Sequence, residues 1–583
     1  MAALSPGDHI DHRGTPFTDD LLQQLLNALC DPTTGRRHVG DARFDGALFS
    51  GQAWFGGTLY SGGVAFSGAT FSEGASFTDA SFSGLAMFDG VNFAGSVGFA
   101  STSFSTARFN RASFLRFCNF QGASFSGAVG FADASFSSAD FNGTAFEATA
   151  YFGRALFSGS AGFSHTTFLG PARFEEAAFS GNASFDSASF SGTIDFGGAV
   201  FSGTVGFREA QFVGTPLLGP LVCAGEVVLD GAVFQQPVRV EVAAPQVSCV
   251  RTRWLSTALV HLRHAELDLR DAIFEYPVVV AARPTPFPIP GSNASAPTTE
   301  LPSQEPGVRL ISISGVDAAH LVLHDIDLSA CRFAGAVHLD QMRVDGWCTF
   351  ATTPSRRRRL SLTWWSRRST LVEEHHWRTQ AHHPAPAAGW TPPPEGTSVL
   401  RPTALAALYR QLRKSLEDGK NEPDAADFYY GEMEMRRHDA TRPRAERALL
   451  AAYWALSGYG LRATRALIWL LGAMTATVLA LMLWGLPADE PKPTTIGRQV
   501  AVGQEVTWTT DTPDPVNPTG SLAERVTTER FEKALRVVIN SVVFRSSGQD
   551  LTTVGTYTEM ASRLAEPVLL SLAILAVRSR VKR

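Results

Sequence analysis

Few residues of this 583-residue chain are spaced for chemistry. His375, His376, His382 and His383 lie close together and could hold a metal through their imidazole nitrogens. Proline flanks them and no cysteine is near, so no metal site and no cofactor are expected. Glu432, Glu434, Arg436 and Arg437 could act as acids and bases. On a helix Glu432 and Arg436 fall at i,i+4, and an ion-paired face is the simpler reading. Arg563 and Glu566 stand one turn apart at the edge of a C-terminal apolar run, where ionisable groups are costly and mark function unless they pair with each other near the interface. There is no nucleophile–base constellation, no Gly-rich phosphate loop and no metal quartet. The chain is therefore expected to be non-enzymatic.

The dominant pattern is structural. Phenylalanine recurs every five or six residues from Phe44 to Phe212, with 32 centres, all Phe except Tyr60. Phe71, Phe77, Phe82, Phe136 and Phe185 are members of this series. Two places before each centre sits a small or β-branched residue, as in Ala69, Ala75 and Ala80. Neither a 3.6-residue nor a 2.0-residue period fits, so the chain repeats a stacked unit. One large and one small inward residue per side predict a solenoid of square section, with Ser, Gly, Thr and Asp at the corners. Such coils are stable only as a stack. Four sides per coil give about eight coils, roughly 38 Å long at strand spacing. The many serines are corner residues, not nucleophiles.

The A-x-F units, such as Ala75-Ser76-Phe77, Ala80-Ser81-Phe82 and Ala134-Ser135-Phe136, resemble the pentapeptide-repeat family. The resemblance implies a right-handed quadrilateral parallel β-helix, so the fold is expected to be mainly β. The extra residue in about every second step (Phe71 to Phe77, Phe82 to Phe88) predicts a longer corner or side and coils above the usual 20 residues.

The rest of the chain divides around this array. Residues 1–40 are expected to hold a capping helix, with Leu21, Leu22, Leu25, Leu26 and Leu29 on one face covering the open end. Met1 to Pro16 has no basic start and no apolar run, so no signal peptide is expected. Residues 41–216 form the regular β-helix and 217–352 a less regular continuation. That continuation contains a Pro-, Ser- and Thr-rich insertion at 283–308, expected to be disordered. Residues 353–402 are a basic and Pro-rich linker in which Arg356–Arg359 and Arg367–Arg368 flank Trp364–Trp365. That stretch suits either an anionic lipid surface or a solvated loop. Residues 403–462 predict juxtamembrane helices: one with a Leu405, Leu408, Leu412, Leu416 stripe ending at Asp418-Gly419, one over about Asp424 to Arg437, and one over Arg444 to Ser457. Six scattered cysteines with no C-x-x-C pair suggest reduced thiols in a cytoplasmic body.

Residues 463–583 predict a membrane module. Ala466 to Leu486 has no charge and is long enough to cross a bilayer. A second span is expected at about 560–577. Arg442, Arg444, Arg447, Arg462 and Arg465 precede the first span, and Arg578, Arg580, Lys582 and Arg583 follow the second. Basic residues on both outer flanks predict a multi-pass cell-membrane protein with both termini cytoplasmic. Between the spans lie an apolar helix, Phe531 to Phe544, with Leu535, Val538, Ile539 and Val542 on one face, and then Thr552-Thr553-Val554-Gly555. This order is similar to the pore module of two-helix cation channels, whose T-V-G-Y-G filter lines up backbone carbonyls around an ion. The match stops at Gly555, because Thr556-Tyr557-Thr558-Glu559 replaces the second glycine and the aspartate. Thr552, Thr553, Val554, Gly555, Arg563 and Glu566 are thus the candidate pore residues, set against a plain anchor with an interfacial helix. The juxtamembrane sequences Leu408-Tyr409-Arg410-Gln411-Leu412-Arg413 and Phe428-Tyr429-Tyr430-Gly431-Glu432 also resemble those of actinobacterial pentapeptide-repeat membrane proteins.

Three functions follow, in order of preference. The first is a membrane-tethered scaffold whose β-helix binds a protein partner. The second is a channel-like subunit regulated by the β-helix, which would need a homo-oligomer around its pore. The third is a DNA-mimic topoisomerase inhibitor of the kind some pentapeptide-repeat proteins are. Residues 41–212 carry 13 acidic and seven basic side chains, a net of −6, far below the charge density of a phosphate backbone. The whole chain is not basic either, with a net charge of −5, so nucleic acid is not an expected partner; a lipid bilayer is.

Overall fold

The computed structural model describes residues 4–289, 295–296, 306–354, 367–381, 389–488, 492–497, 502–503, 508–543 and 550–581. They form two compact units, residues 1–400 with 410–420, and 401–409 with 421–583.

The first unit is a parallel β-solenoid of about 13 turns. Its inward aromatics stand in four columns, each ring lying nearly parallel on the one a coil away. Phe71 stacks on Phe93 at 4.8 Å, Phe77 on Phe99 at 4.9 Å, Phe82 on Phe104 at 4.9 Å and Phe136 on Phe157 at 4.8 Å. Between columns the rings meet edge to face, as Phe77 and Phe88 do at 5.5 Å and 85°. Stacked and T-shaped contacts are the preferred aromatic geometries, and this array supplies both to most of its rings. The residues two places before the centres also point inward. At Thr102, Thr144 and Thr166 the buried hydroxyl hydrogen-bonds a phenylalanine carbonyl: Thr102 to Phe77 and Thr144 to Phe120 at 2.8 Å, Thr166 to Phe141 at 2.9 Å. These three hydroxyls can lie in the core because each is satisfied there.

The six-residue steps resolve into corners. Neighbouring coils pair 22 or 21 residues apart, as in Ala53 with Ala75 and Phe104 with Phe125. The register shifts between Phe82 and Leu85 and between Phe114 and Phe117. There the longer coil bulges over one whose strand runs straight through, such as Ser103–Arg108 or Ser135–Asp140. The corners after the Phe44 and Phe55 columns are different. The residue two places on is left-handed: Gly46, Gly57 and Gly68, but also Asp79, Ser101 and Arg111.

The solenoid starts at Ile10 and not at Asp41. Ile10–Asp11 pairs with Ala42–Arg43, and Phe17 with Phe49, before the chain enters helix α1 (Asp19–Ala28). Thr18 caps α1 by accepting from the Leu21 amide, and Leu22, Leu25 and Leu26 are buried. So α1 interrupts the first coil instead of preceding it.

Beyond Phe212 the aromatic column continues through Phe234 and Trp254, at 4.7 and 4.1 Å. Then the coils tighten to 20 residues. Val240, Val260 and Val280 align, followed by Leu323 and Val344. Longer strands, Val238–Ala243 and Ala258–Arg263, replace the two-residue ones, and aliphatic side chains replace the rings. Within the 283–308 insertion, Phe287 and Ala296 are buried against Val222 and Ala243, so this part of it is packed and not disordered. Residues 290–294 and 297–305 lie outside the described residues.

Helix α2 (Val372–Ala381) ends the array. Glu373 accepts the Phe333 and Ala334 amides at 2.6 and 3.0 Å, giving partners to strand edges at the last coils. Arg368 is buried and forks onto Glu374 at 2.6 Å, with Arg378 on the same carboxylate at 2.7 Å. Arg368 is therefore a core residue of this unit and not a lipid-facing one, while Arg367 beside it is exposed; residues 355–366, with Arg356–Arg359 and the Trp pair, lie outside the described residues. Helix α3 (Pro402–Asp418) ends where its leucine stripe ends, and its second half joins this unit, with Lys414 paired to Asp340 at 2.8 Å. None of the six cysteines is joined to another.

The second unit is helical. It contains the first turns of α3, α4 (Glu422–His438), α5 (Arg444–Ser457), α6 (Ala463–Ala480), α7 (Thr528–Val543) and α8 (Thr553–Val581). Asn421 caps α4, and Gly458 in the left-handed region ends α5. Tyr409 meets Phe428 edge to face at 5.3 Å, and Gly431 is needed because a β-carbon there would strike the Tyr409 ring. After α6 come a π-helical turn, Leu481–Gly485, and a short hairpin, Thr494–Gly497 with Trp508–Asp511.

Candidate functional site in the helical module

Among the described residues, two helical stretches are long and apolar enough to cross a membrane, Ala463–Gly485 with 23 residues and Thr553–Arg578 with 26. At about 1.5 Å per residue each exceeds the ~30 Å hydrocarbon core. The second starts at Thr553 instead of Met560, because the residues expected to form a polar loop are helical. Leu467, Ile468, Trp469, Leu471 and Leu479 of the first, and Leu564, Val568, Ile574 and Leu575 of the second, are exposed.

The end of the first span is closed by side chains from elsewhere in the module. A helix end leaves its last carbonyls without donors, which is costly in an apolar medium. Here Arg530 donates to the carbonyls of Met482, Leu486 and Pro487 at 2.9–3.1 Å. Arg525 donates to Leu483 at 2.9 Å, and Thr552 to Trp484 at 2.8 Å and Gly485 at 3.2 Å. The π-helical turn is the reason so many carbonyls face one way. Below it Ala534, Val537 and Val538 of α7 bury against Val478, Leu481, Met482 and Leu486. The buried face of α7 is thus rotated from the expected one, and Ile539 is exposed.

This geometry overturns the filter reading of Thr552-Thr553-Val554-Gly555. Thr552 accepts the Gly555 amide at 3.2 Å and so caps α8, while Thr553, Val554 and Gly555 form its first turn. Helical carbonyls point along the helix axis toward later amides and cannot line a path. Gly555 has a packing role: a β-carbon there would drive into the Gly485 carbonyl, and one on Gly485 would crowd Gly555. Small residues let two spanning backbones approach in this way. Gly555→Val is expected to separate the span ends and cost about 1–3 kcal/mol or more. Unfolding in detergent micelles checks it; an unchanged midpoint would remove the packing role.

Arg563 and Glu566 do not pair with each other. Arg563 bonds Glu559 at 2.7 Å, four residues back, while Glu566 meets Thr477 of α6 at 2.9 Å. The Glu-before-Arg i,i+4 order is the favoured one and was the signal available for the first contact. Nothing in the sequence singled out Thr477, Arg525 or Arg530.

Ahead of the first span, the basic residues are built into an aromatic cluster. Arg437 and Arg465 both lie over Trp454, at 4.5 and 5.1 Å, and Arg462 over Tyr430 at 5.6 Å. Trp454 donates to the Tyr430 hydroxyl at 2.9 Å. Glu434 holds Arg437 at 2.7 Å and accepts from Tyr459 at 3.0 Å; burial and this carboxylate push the Tyr459 hydroxyl well up. Glu432 pairs with Arg436. Each glutamate thus holds one arginine, and the cluster carries more arginines than carboxylates.

In the first unit His375 is buried, its ring 2.9 Å from the Thr370 hydroxyl and edge-on to Trp390 at 4.7 Å. His382 and His383 lie outside the described residues. Burial pushes His375 down to about 4 from 6.5. Between these values the unfolded chain binds the extra proton, so stability is fully present above about pH 6.5 and falls as pH drops to about 4. The full loss is about 3 kcal/mol. Hydrogen exchange of Thr370–Ala381 across this range is expected to show that loss, and His375→Gln to flatten it. A flat wild-type profile would count against a neutral buried ring.

Residues 61–103, 120–167 and 163–211 match the family described as pentapeptide repeats (9 copies). The solenoid is therefore a pentapeptide-repeat β-solenoid, and the chain carries that family's repeat through the most regular coils. No curated protein and no solved structure matches the chain.

Proposed function

We propose that this chain is a non-enzymatic scaffold, anchored in the cell membrane by α6 and α8, whose pentapeptide-repeat solenoid offers a cytoplasmic surface to a protein partner. The observation that carries the anchor is the apolar face each long helix leaves uncovered. Arginines flanking both spans support cytoplasmic termini, with the Thr494–Asp511 hairpin outside. The solenoid supports contact with a protein through one apolar patch. Leu115 and Phe117 project from strand Ser113–Asn119, 54% and 46% exposed, and Leu156, 44% exposed, lies on the same face two coils on.

An epitope inserted after Asp514 is expected to bind antibody on intact cells, and one after Met1 only after permeabilisation. The opposite pattern would refute the topology, and release of the chain by alkaline wash would refute the anchor. For the surface, a photo-crosslinker at Leu156 of the full chain is expected to trap a protein neighbour. Leu115→Asp with Phe117→Asp should abolish the adduct; the same adduct in that variant would exclude the patch.

A further inference from the structure

Glu566 lies thirteen residues into the 26-residue second span, at its middle, and its side chain is fully buried. One carboxyl oxygen is 2.9 Å from the Thr477 hydroxyl on α6, and the other is buried without a hydrogen-bond partner. Thr477 is itself near the middle of the first span. Its hydroxyl oxygen is also 2.9 Å from the Ala473 carbonyl. Neighbouring Thr475 bonds back to Leu471 in the same way at 2.7 Å.

A threonine hydroxyl has a single hydrogen. When it serves the Ala473 carbonyl, the hydrogen between Thr477 and Glu566 must come from the carboxyl. When it turns to Glu566, it supplies the one hydrogen bond an ionised carboxylate would have there. The pair therefore has two arrangements that differ by one proton.

On α8 and the helices packed against it, most other charges hold partners of their own. On α8, Glu559 and Arg563 pair with each other. The only ionisable residue of α6 is Arg465, in its first turn, which bonds the Trp454 carbonyl at 2.7 Å. On α7, Glu529 pairs with Lys533 and Glu532 with Arg536, while Arg530 holds the carbonyls that end the first span. On α5, Glu446 pairs with Arg442 and Arg447 bonds the Arg437 carbonyl, with Arg444 in the first turn. On α4, Glu432 and Glu434 hold Arg436 and Arg437. Among the described residues no cation pairs with Glu566. An intramembrane carboxyl without a counter-charge is costly to keep unless it has a use.

We propose that Glu566 and Thr477 form a proton-binding site at the centre of the membrane module. With the proton bound, the neutral carboxyl donates to Thr477. On release the proton passes to water, and the Thr477 hydroxyl swings from Ala473 to the carboxylate.

The test is labelling of the full chain in proteoliposomes with dicyclohexylcarbodiimide, which enters bilayers. The carboxyl O–H adds across a C=N bond of the reagent with no leaving group, so the adduct mass is the sum of the two. An adduct on the peptide containing Glu566 is expected in mildly acidic buffer, with loss of labelling in alkaline buffer. Thr477→Val removes the donor to the carboxylate and is expected to move the half-labelling point to higher pH. Glu566→Gln should carry no adduct, and the wild-type peptide mass decides the matter even if that variant fails to fold. No adduct at any pH, labelling independent of pH, or a wild-type profile in Thr477→Val would each overturn the proposal. So would protection by sodium ions at fixed pH, which would make the ligand a metal cation.

Discussion

Phe185→Ala is expected to destabilise the solenoid by about 3–5 kcal/mol. The ring is fully buried and is stacked between Phe163 at 4.9 Å and Phe207 at 5.1 Å, with Phe174 and Phe196 edge-on at 5.7 and 5.9 Å. Removing it loses the transfer energy of the ring and leaves a cavity. The four aromatic neighbours cannot close that cavity without leaving their own stacks. Phe136 is stacked in the same way, between Phe114 and Phe157 both at 4.8 Å, with Phe141 edge-on at 5.9 Å, and a loss in the same range is expected there. The exposed Leu156 is the control, with an expected effect within about 0.5 kcal/mol. Denaturant unfolding of the three variants checks the difference, and equal midpoints would mean that the columns do not hold the fold.

Arg530→Met is expected to loosen the helical module by a similar amount, about 3–5 kcal/mol. The substitution keeps the apolar stem and removes every donor. Three backbone carbonyls, of Met482, Leu486 and Pro487, then lose partners at the end of the first span. Met482 and Leu486 are buried, and each buried carbonyl so orphaned costs about 1–3 kcal/mol. Arg530→Lys retains the charge but not the fork, and should fall between the two. Unfolding of the purified chain in detergent is the measurement; wild-type behaviour of Arg530→Met would mean that Arg525 and Thr552 suffice to close the turn.

The solenoid was legible because every coil repeats one volume constraint. A large ring with a small residue two places before it states which side chains face in, whatever the corners do. Helices α3 to α5 were legible from their leucine stripe and their ends, with α5 running from Arg444 to Ser457 as expected. The start of the solenoid was not, because Ile10 and Phe17 sit in two-residue strands that α1 separates from the series. The T-V-G run misled for a related reason. Thr-Val-Gly suits a strained loop of carbonyls and also a capped first helical turn, and only the approach of Gly485 to Gly555 separates the two. Contacts between α6 and α8, such as Thr477 with Glu566, depend on how far one helix slides along the other, which no local pattern encodes.

The mixture of 21- and 22-residue coils has a consequence for how this protein can vary. One residue more or less at the bulged corners, such as Phe82 to Leu85 or Phe114 to Phe117, leaves the rings above and below in place. The same change at the left-handed corners after Phe44 or Phe55 would move every later side chain out of line. Length differences between natural variants should therefore gather at the bulged corners, and those are the places where a loop or a label can be spliced into the array without disturbing its interior.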